Sequence, residues 1–395
     1  MKNKAIAFIF CILNSIVYAQ NIITPSTDSL QFKNQIGVNT NIFLNSNFIS
    51  TKNYTKYGFG SKIDNALKTN IINDLKDKNY FGFGYKIAAE LKNKNWIFKY
   101  SFQNQLGGNV SKNAIQFALL GNQAFENQEI DLGKSNIKNL TFQKICFGYE
   151  FNFLKNKLQV KPQIGLYQIL NYQHYFSEKL AIFTASGGEY ITAKTDFEIQ
   201  SANKNGYGLG LSLNTNYKIS KNTIVNIDIQ DVGFFGLNTR QRISKGNQQF
   251  SGVDIGNVAN LATNTFDAFN SLKIDSIAGI KSSNSNLNLK LPSYFQMIFN
   301  KKIKAFDLKL GAGYQSGFGN RAQIFAGGDY HLNNKCKIGF LVIEGGYSSF
   351  ASQLNIQYLC CKKHLILFNI NGVERFPVAN INLNKGAQLR YMFLF

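Results

Sequence analysis

The chain alternates, and the alternation limits what it can become. Through 79–91, Phe81, Phe83, Tyr85, Ile87, Ala89 and Leu91 take turns with Tyr80, Gly82, Gly84, Lys86, Ala88 and Glu90. After the polar stretch 92–95, Trp96, Phe98, Tyr100 and Phe102 alternate with Ile97, Lys99, Ser101 and Gln103. Successive strand residues point to opposite faces, so the segment is a hairpin with one aromatic face and one polar, Gly-rich face. The pattern returns at Phe147, Tyr149, Phe151 and Phe153, at Leu158, Val160, Ile164 and Leu166, and at Tyr207, Leu209, Leu211 and Leu213. It closes the chain at Leu389, Tyr391, Phe393 and Phe395.

Alternation alone also suits a soluble sandwich, whose greasy faces pack together. Three features favour a membrane wall instead. The greasy face is aromatic along whole strands, while the other carries Gly, Lys, Gln and Glu. The strands run about ten to fifteen residues, enough to cross a bilayer when tilted. Short turns alternate with long connections, as periplasmic turns alternate with extracellular loops. Lipid cannot satisfy a free sheet edge, so such strands close on themselves. The expected fold is all-β: a transmembrane antiparallel β-barrel of about 14 strands, within a range of about 12–16, with short helices in long extracellular loops. The strands are expected at 35–49, 79–91, 94–107, 138–154, 157–172, 205–218, 222–238, 286–301, 303–316, 320–332, 335–347, 350–360, 363–372 and 384–395. Asp231 falls on the nominal greasy face of Val225, Ile227 and Ile229, and a β-bulge is expected there to turn it away from lipid.

Composition agrees. Aromatics at 14% and charged residues at only 16% exclude a disordered chain. A mean hydropathy of −0.17 excludes a bundle of membrane helices. Lys2 and Lys4 precede an apolar run over 5–17, and Val17-Tyr18-Ala19 ends it with small residues at the −3 and −1 positions. Residues 1–19 are therefore expected to be a signal peptide, and 20–395 a single outer-membrane barrel domain. Bulky Phe8, Ile9 and Phe10 before Cys11 argue against a lipid anchor. The net charge of +21 invites an anionic partner, but export argues against nucleic acid. The joint abundance of Lys, Asn and Ile is equally a base-composition bias. Cys146, Cys336, Cys360 and Cys361 show no Cys-x-x-Cys spacing, and adjacent cysteines on a strand point apart.

Four connections exceed a turn: 50–78, 108–137, 173–204 and 239–285. Long connections carry function or disorder. Ile63, Leu67, Ile71 and Leu75 recur at helical spacing after Ser61, and Ser111 is placed to cap a helix ending at Gly121. From Asp254, the residues Ile255, Val258, Ala262, Phe266 and Phe269 form another stripe. Each stripe packs on barrel and loops or meets an apolar ligand. Phe117, Leu120, Phe266 and Phe269 are the candidate ligand-facing apolar residues. On the polar face of the strands, Lys86, Lys99, Lys161 and Arg390, with Glu90, Glu150 and Asp228, are candidate lumen charges. Mixed signs favour a lumen stitched by ion pairs over an open pore.

No catalytic site is expected. His331 and His364 abut turns. His174 has Ser177 and Glu178 nearby, but no spacing requires them to converge. The Gly-rich pieces lie on strands with no helix following, so they are not phosphate loops, and no cofactor or metal is expected.

Several segments carry a family likeness. Leu120-Gly121-Asn122-Gln123-Ala124-Phe125, then Gln128-Glu129-Ile130-Asp131-Leu132, resembles a motif of a Bacteroidota outer-membrane β-barrel family of unknown function. That family is similar to FadL-like long-chain fatty-acid transporter barrels. Gly148-Tyr149-Glu150, Lys157-Leu158-Gln159-Val160, Gly206-Tyr207-Gly208-Leu209-Gly210, Asp231-Val232-Gly233-Phe234-Phe235 and Leu291-Pro292 fit the same pattern. The likeness covers roughly residues 60–330. It implies a barrel of the outer membrane that passively transports or binds small or hydrophobic molecules through a restricted lumen. The alternative is a structural or interaction barrel, an accessory of a surface-secretion or adhesion assembly. The chain ends on Phe395 in an aromatic strand, which resembles the signal read by the barrel assembly machinery. The expected partners are that machinery, outer-membrane lipid and a hydrophobic small molecule, with the barrel itself a monomer.

Overall fold

The computed structural model describes residues 34–50, 64–202, 204–250, 279–318, 321–346, 350–361, 363–373 and 382–395. The expected signal peptide lies outside these, as does the stripe from Asp254 with Phe266 and Phe269. The chain begins with β1 (Asn34–Ser50), helix α1 (Asn65–Asp74), β2 (Lys78–Asn93), β3 (Trp96–Ser111), helix α2 (Lys112–Leu120) and β4 (Glu129–Asp131). It continues with β5 (Ser135–Tyr149), β6 (Phe151–Phe153), β7 (Leu158–Thr184), β8 (Ile191–Ala202), β9 (Gly206–Ser220) and β10 (Thr223–Phe250). The remaining strands are β11 (Ile280–Lys290), β12 (Tyr294–Ile303), β13 (Phe306–Gln315), β14 (Arg321–His331), β15 (Cys336–Gly345), β16 (Phe350–Cys360), β17 (His364–Asn371) and β18 (Asn382–Leu394).

These make one antiparallel sheet that closes when β1 pairs with β18, from Gln35↔Leu394 to Asn45↔Asn384. Three walls of the barrel are broken strands. β5 runs on into β6, β8 into β9, and β11 into β12, while β4 is a short side strand on β7. Joining the broken pieces leaves a closed barrel of 14 strands. At one end the strands meet in short turns, and that end also holds residues 34 and 395. In barrels of this class the short turns face the periplasm.

The outward face is the greasy one. Leu166 is 63% exposed, Tyr207 67%, Ile145 61% and Phe234 56%. Side chains this apolar, in a continuous band around a closed wall, belong in lipid rather than water. Near the turns the band becomes aromatic. Trp96 packs on Tyr149 at 4.7 Å and on Phe147 at 5.0 Å, and Phe393 stacks on Phe395 at 5.7 Å. Rings with a polar edge suit the membrane–water interface.

Two expected connections are largely strand. β7 and β8 pair from Gln173↔Ser201 to Thr184↔Ile191, and β10 pairs with β8 and β11 well beyond residue 239. In the β10 part of this extension both faces are polar, as in Arg240-Gln241-Arg242, so the greasy-polar contrast vanishes there although the ladder continues. The helices occupy the other two connections. The Asp64 carboxylate accepts from the Leu67 amide at 2.7 Å and starts α1. The Ser111 hydroxyl accepts from the Ala114 amide at 3.3 Å and starts α2, which ends where Gly121 turns to φ +79°. Leu67, Ile71 and Leu75 bury against Phe48, Ile115 and Leu119, so the α1 stripe is covered by the barrel rim and α2.

Candidate functional site in the barrel interior

The inner face is built in layers. Toward the turn end, charges meet in pairs. Glu150 accepts Lys92 at 2.6 Å and Lys161 at 3.7 Å, and Glu90 holds Lys99 at 3.4 Å and Arg390 at 3.6 Å. Strand parity produces this. Lys86 and Glu90 point inward between the lipid-facing Ile87 and Leu91, and the β2–β3 register sets Glu90 opposite Lys99. Amides continue the layer, with Asn369 donating to Gln388 at 2.8 Å and Gln388 to Asn39 at 3.0 Å.

The next layer depends on a bulge. Between Ile229↔Leu213 and Val232↔Leu211 the β10 strand holds an extra residue, and Asp231 takes φ +63°. Its carboxylate turns inward, accepts the Tyr167 hydroxyl at 2.6 Å and pairs with Lys144. Both charged side chains are about nine-tenths buried, so each is the other's main compensation.

Above this lies an apolar layer. Leu140, Phe142, Tyr167, Ile169, Tyr172, Phe235, Leu237, Leu291 and Phe318 form one buried cluster on the inner face. Glycines make room for it. A Cβ on Gly208 would sit 2.7 Å from the Phe235 Cβ, and one on Gly210 would sit 2.8 Å from Leu291 and 3.0 Å from the Tyr167 ring. Leu291 enters the cluster because Pro292, which has no amide to donate, breaks the β11–β12 strand. The Leu291 amide donates instead to the Gly233 carbonyl at 3.0 Å.

Two cavities lie below and beside these layers. The larger, about 530 Å³, includes the turn residues Lys94, Asn95, Asn156 and Lys157 in its lining, so it lies toward the turn end. All seven candidate lumen charges line it: Lys86, Lys99, Lys161, Arg390, Glu90, Glu150 and Asp228. The smaller, about 140 Å³, shares Lys86, Asp228 and Gln296 with it and reaches up to Phe43, Asp231, Pro292 and Tyr294.

Of the loop candidates, Phe117 and Leu120 are not brought to the lumen cluster. Phe117 stacks on Phe125 at 5.9 Å and Leu120 is 41% exposed, both in the β3–β5 connection. Phe266 and Phe269 lie outside the described residues. Sequence reasoning passed over the inward apolar layer. The available signal was neighbouring apolar pairs, Ile169-Leu170 and Phe234-Phe235, which place one side chain on each face of the wall.

The histidines stay apart. His174 pairs with Asn136 at 3.1 Å, His331 with Asp307 at 2.6 Å and His364 with Tyr391 at 2.6 Å. The two adjacent cysteines depart from the expected geometry. Cys361 leaves the strand at φ +53°, and its sulfur lies 3.2 Å from that of Cys360.

Comparison with known proteins identifies the architecture. No family model matches the chain, and no curated relative matches it. Among solved structures, the TodX deltaS2S3 mutant monoaromatic hydrocarbon channel aligns over 96% of both chains, at 11% identity and a TM-score of 0.52. The two share a closed antiparallel β-barrel fold. Also similar are the Pseudomonas putida toluene transporter TodX, at 10% identity over 95% of this chain and 93% of that one with a TM-score of 0.49, and a Pseudomonas aeruginosa FadL homologue, at 9% identity over 92% and 90% with a TM-score of 0.43. At such identities the likeness is one of fold. The outer belt and the closed ladder argue independently that the barrel wall stands in lipid.

Proposed function

We propose that the barrel passively conducts small hydrophobic molecules, with the inward apolar layer as the constriction they cross. The observation that carries this is chemical. The same inner face that is Lys, Glu, Asn and Gln toward the turn end is Phe142, Ile169, Phe235, Leu237 and Leu291 above it. A water-filled pore has no use for such a layer, whereas an apolar solute crosses it without losing a hydrogen bond. The TodX variant whose fold is similar is a monoaromatic hydrocarbon channel, which supports the same substrate class. Phe117, Leu120, Phe266 and Phe269 are the candidate ligand-facing loop residues in this scheme. The seven lumen charges keep the lower lumen polar. The strand ending at Phe395 is the segment offered to the barrel assembly machinery, and the barrel works as a monomer. No observation favours the interaction-barrel alternative.

The test is uptake of radiolabelled toluene by cells carrying equal levels of folded barrel. The parent chain is expected to speed uptake over an empty vector, and Phe142→Asp to abolish the gain by charging the constriction. No gain from the parent chain would end the proposal. Unchanged uptake in Phe266→Asp/Phe269→Asp would remove that pair from it.

A further inference from the structure

The larger cavity holds more cation than its carboxylates can neutralise. Nine of its lining residues are lysine or arginine, and three are carboxylates. Glu90 is shared by Lys99 and Arg390, Glu150 by Lys92 and Lys161, and Lys144 is taken up by Asp231. Lys86, Lys94, Lys157 and Lys218 form no ion pair with a carboxylate among the described residues, although all four line the same space. Asp228, the third carboxylate, accepts instead from the Gln230 amide at 2.5 Å.

A second observation is independent of the charge. Ser101 is 2% exposed and Gln296 5%, both line this cavity, and the Ser101 hydroxyl and the Gln296 Nε2 have no hydrogen-bond partner. A buried donor left without an acceptor is costly, so such groups are ordinarily matched by a ligand or by water. Here they line a polar chamber in which positive charge is in excess. We infer that the turn-end cavity is a binding site for a multivalent oxyanion of the phosphate class, attracted by the cation excess to which Lys86 and Lys218 contribute, with Ser101 and Gln296 as neutral donors. Lys94 and Lys157, exposed in the turns, draw the anion in. The source is a soluble anion from the periplasmic side, because the turn residues line the entrance and the wall here is closed by continuous β2–β3 and β7–β9 ladders. This site is separate from the apolar constriction, and it stands whether or not hydrocarbon crosses that layer.

The test is calorimetric titration of the detergent-solubilised full chain with inorganic pyrophosphate at low and high salt, with short-chain phosphatidate as a second arm. The expected result is one site per chain that weakens with salt, competes with phosphatidate, and loses about tenfold or more in affinity in Lys86→Gln/Lys218→Gln. Ser101→Ala, which leaves the charge unchanged, is expected to weaken binding severalfold. Retained heat-modifiable mobility shows that each variant is folded, and Lys157→Gln in the exposed turn serves as a variant with no fold risk, expected to slow association. Absence of heat at millimolar pyrophosphate would overturn the inference. So would binding that the folded Lys86/Lys218 variant leaves unchanged, or binding of phosphatidate alone.

Discussion

Asp231→Ala tests the interior most sharply. The bulge turns this carboxylate onto Lys144, whose side chain is 8% exposed, and onto the Tyr167 hydroxyl. Removing it leaves a buried ammonium with no counter-charge, a loss of about 3–5 kcal/mol when nothing replaces the partner. Lys144 borders the 530 Å³ cavity, so water relieves part of the burden, and the expected cost is the lower end, about 3 kcal/mol. The assay is urea unfolding in liposomes, followed by the emission of Trp96, the one tryptophan of the chain. The double variant Asp231→Ala/Lys144→Met removes both charges and keeps the volume of the lysine stem. It is expected to recover at least half of the loss, since the penalty lies in the orphaned charge rather than in the missing bond. A single variant within about 0.5 kcal/mol of the parent would refute the reasoning, as would a double variant whose cost equals the sum of the two singles.

Other outcomes follow from the same geometry. Leu211→Arg places a guanidinium on the outer face, where Leu211 is 58% exposed, and is expected to cost about 2–4 kcal/mol in the liposome unfolding assay. Gly208→Val drives a Cβ to 2.6 Å from the Phe234 carbonyl oxygen and is expected to abolish the heat-modifiable folded band on electrophoresis. Ser111→Ala removes the α2 cap and is expected to weaken that helix by about 1 kcal/mol, read as faster proteolysis within 112–125 while the barrel stays intact.

How far the sequence could be followed depended on contrast between the two faces of a strand. Where lipid wets one face and the lumen the other, as at Ile87 beside Lys86, parity alone sorts the side chains, and strand positions near the turns follow. Above the lipid the contrast is gone from β10. Its ladder continues beyond 239 through Arg, Gln, Ser and Lys on both faces, whereas β8 still alternates at Ile191, Ala193, Phe197 and Ile199, a strand signal inside 173–204 that its length as a connection obscured. The bulge at Asp231 was legible because a carboxylate among Val225, Ile227 and Ile229 conflicts with lipid. The apolar constriction was not. Gly206, Gly208 and Gly210 count as a polar face in an alternation, yet they are the space into which Phe235, Leu237 and Tyr167 fit. A glycine says only that something approaches closely, not whether it is greasy. The α1 stripe could be read as a helix, but only the fold shows that Phe48 and α2 cover it.

The claim beneath all of this is that hydrocarbon wets the aromatic face. Trp96, 46% exposed in the outer band beside the β2–β3 turn, reports on it directly. In bilayers containing brominated lipids its emission is expected to be blue-shifted and quenched, most by bromines near the headgroups, and poorly quenched by aqueous iodide. Red-shifted emission, quenched by iodide and indifferent to every brominated lipid, would contradict the account.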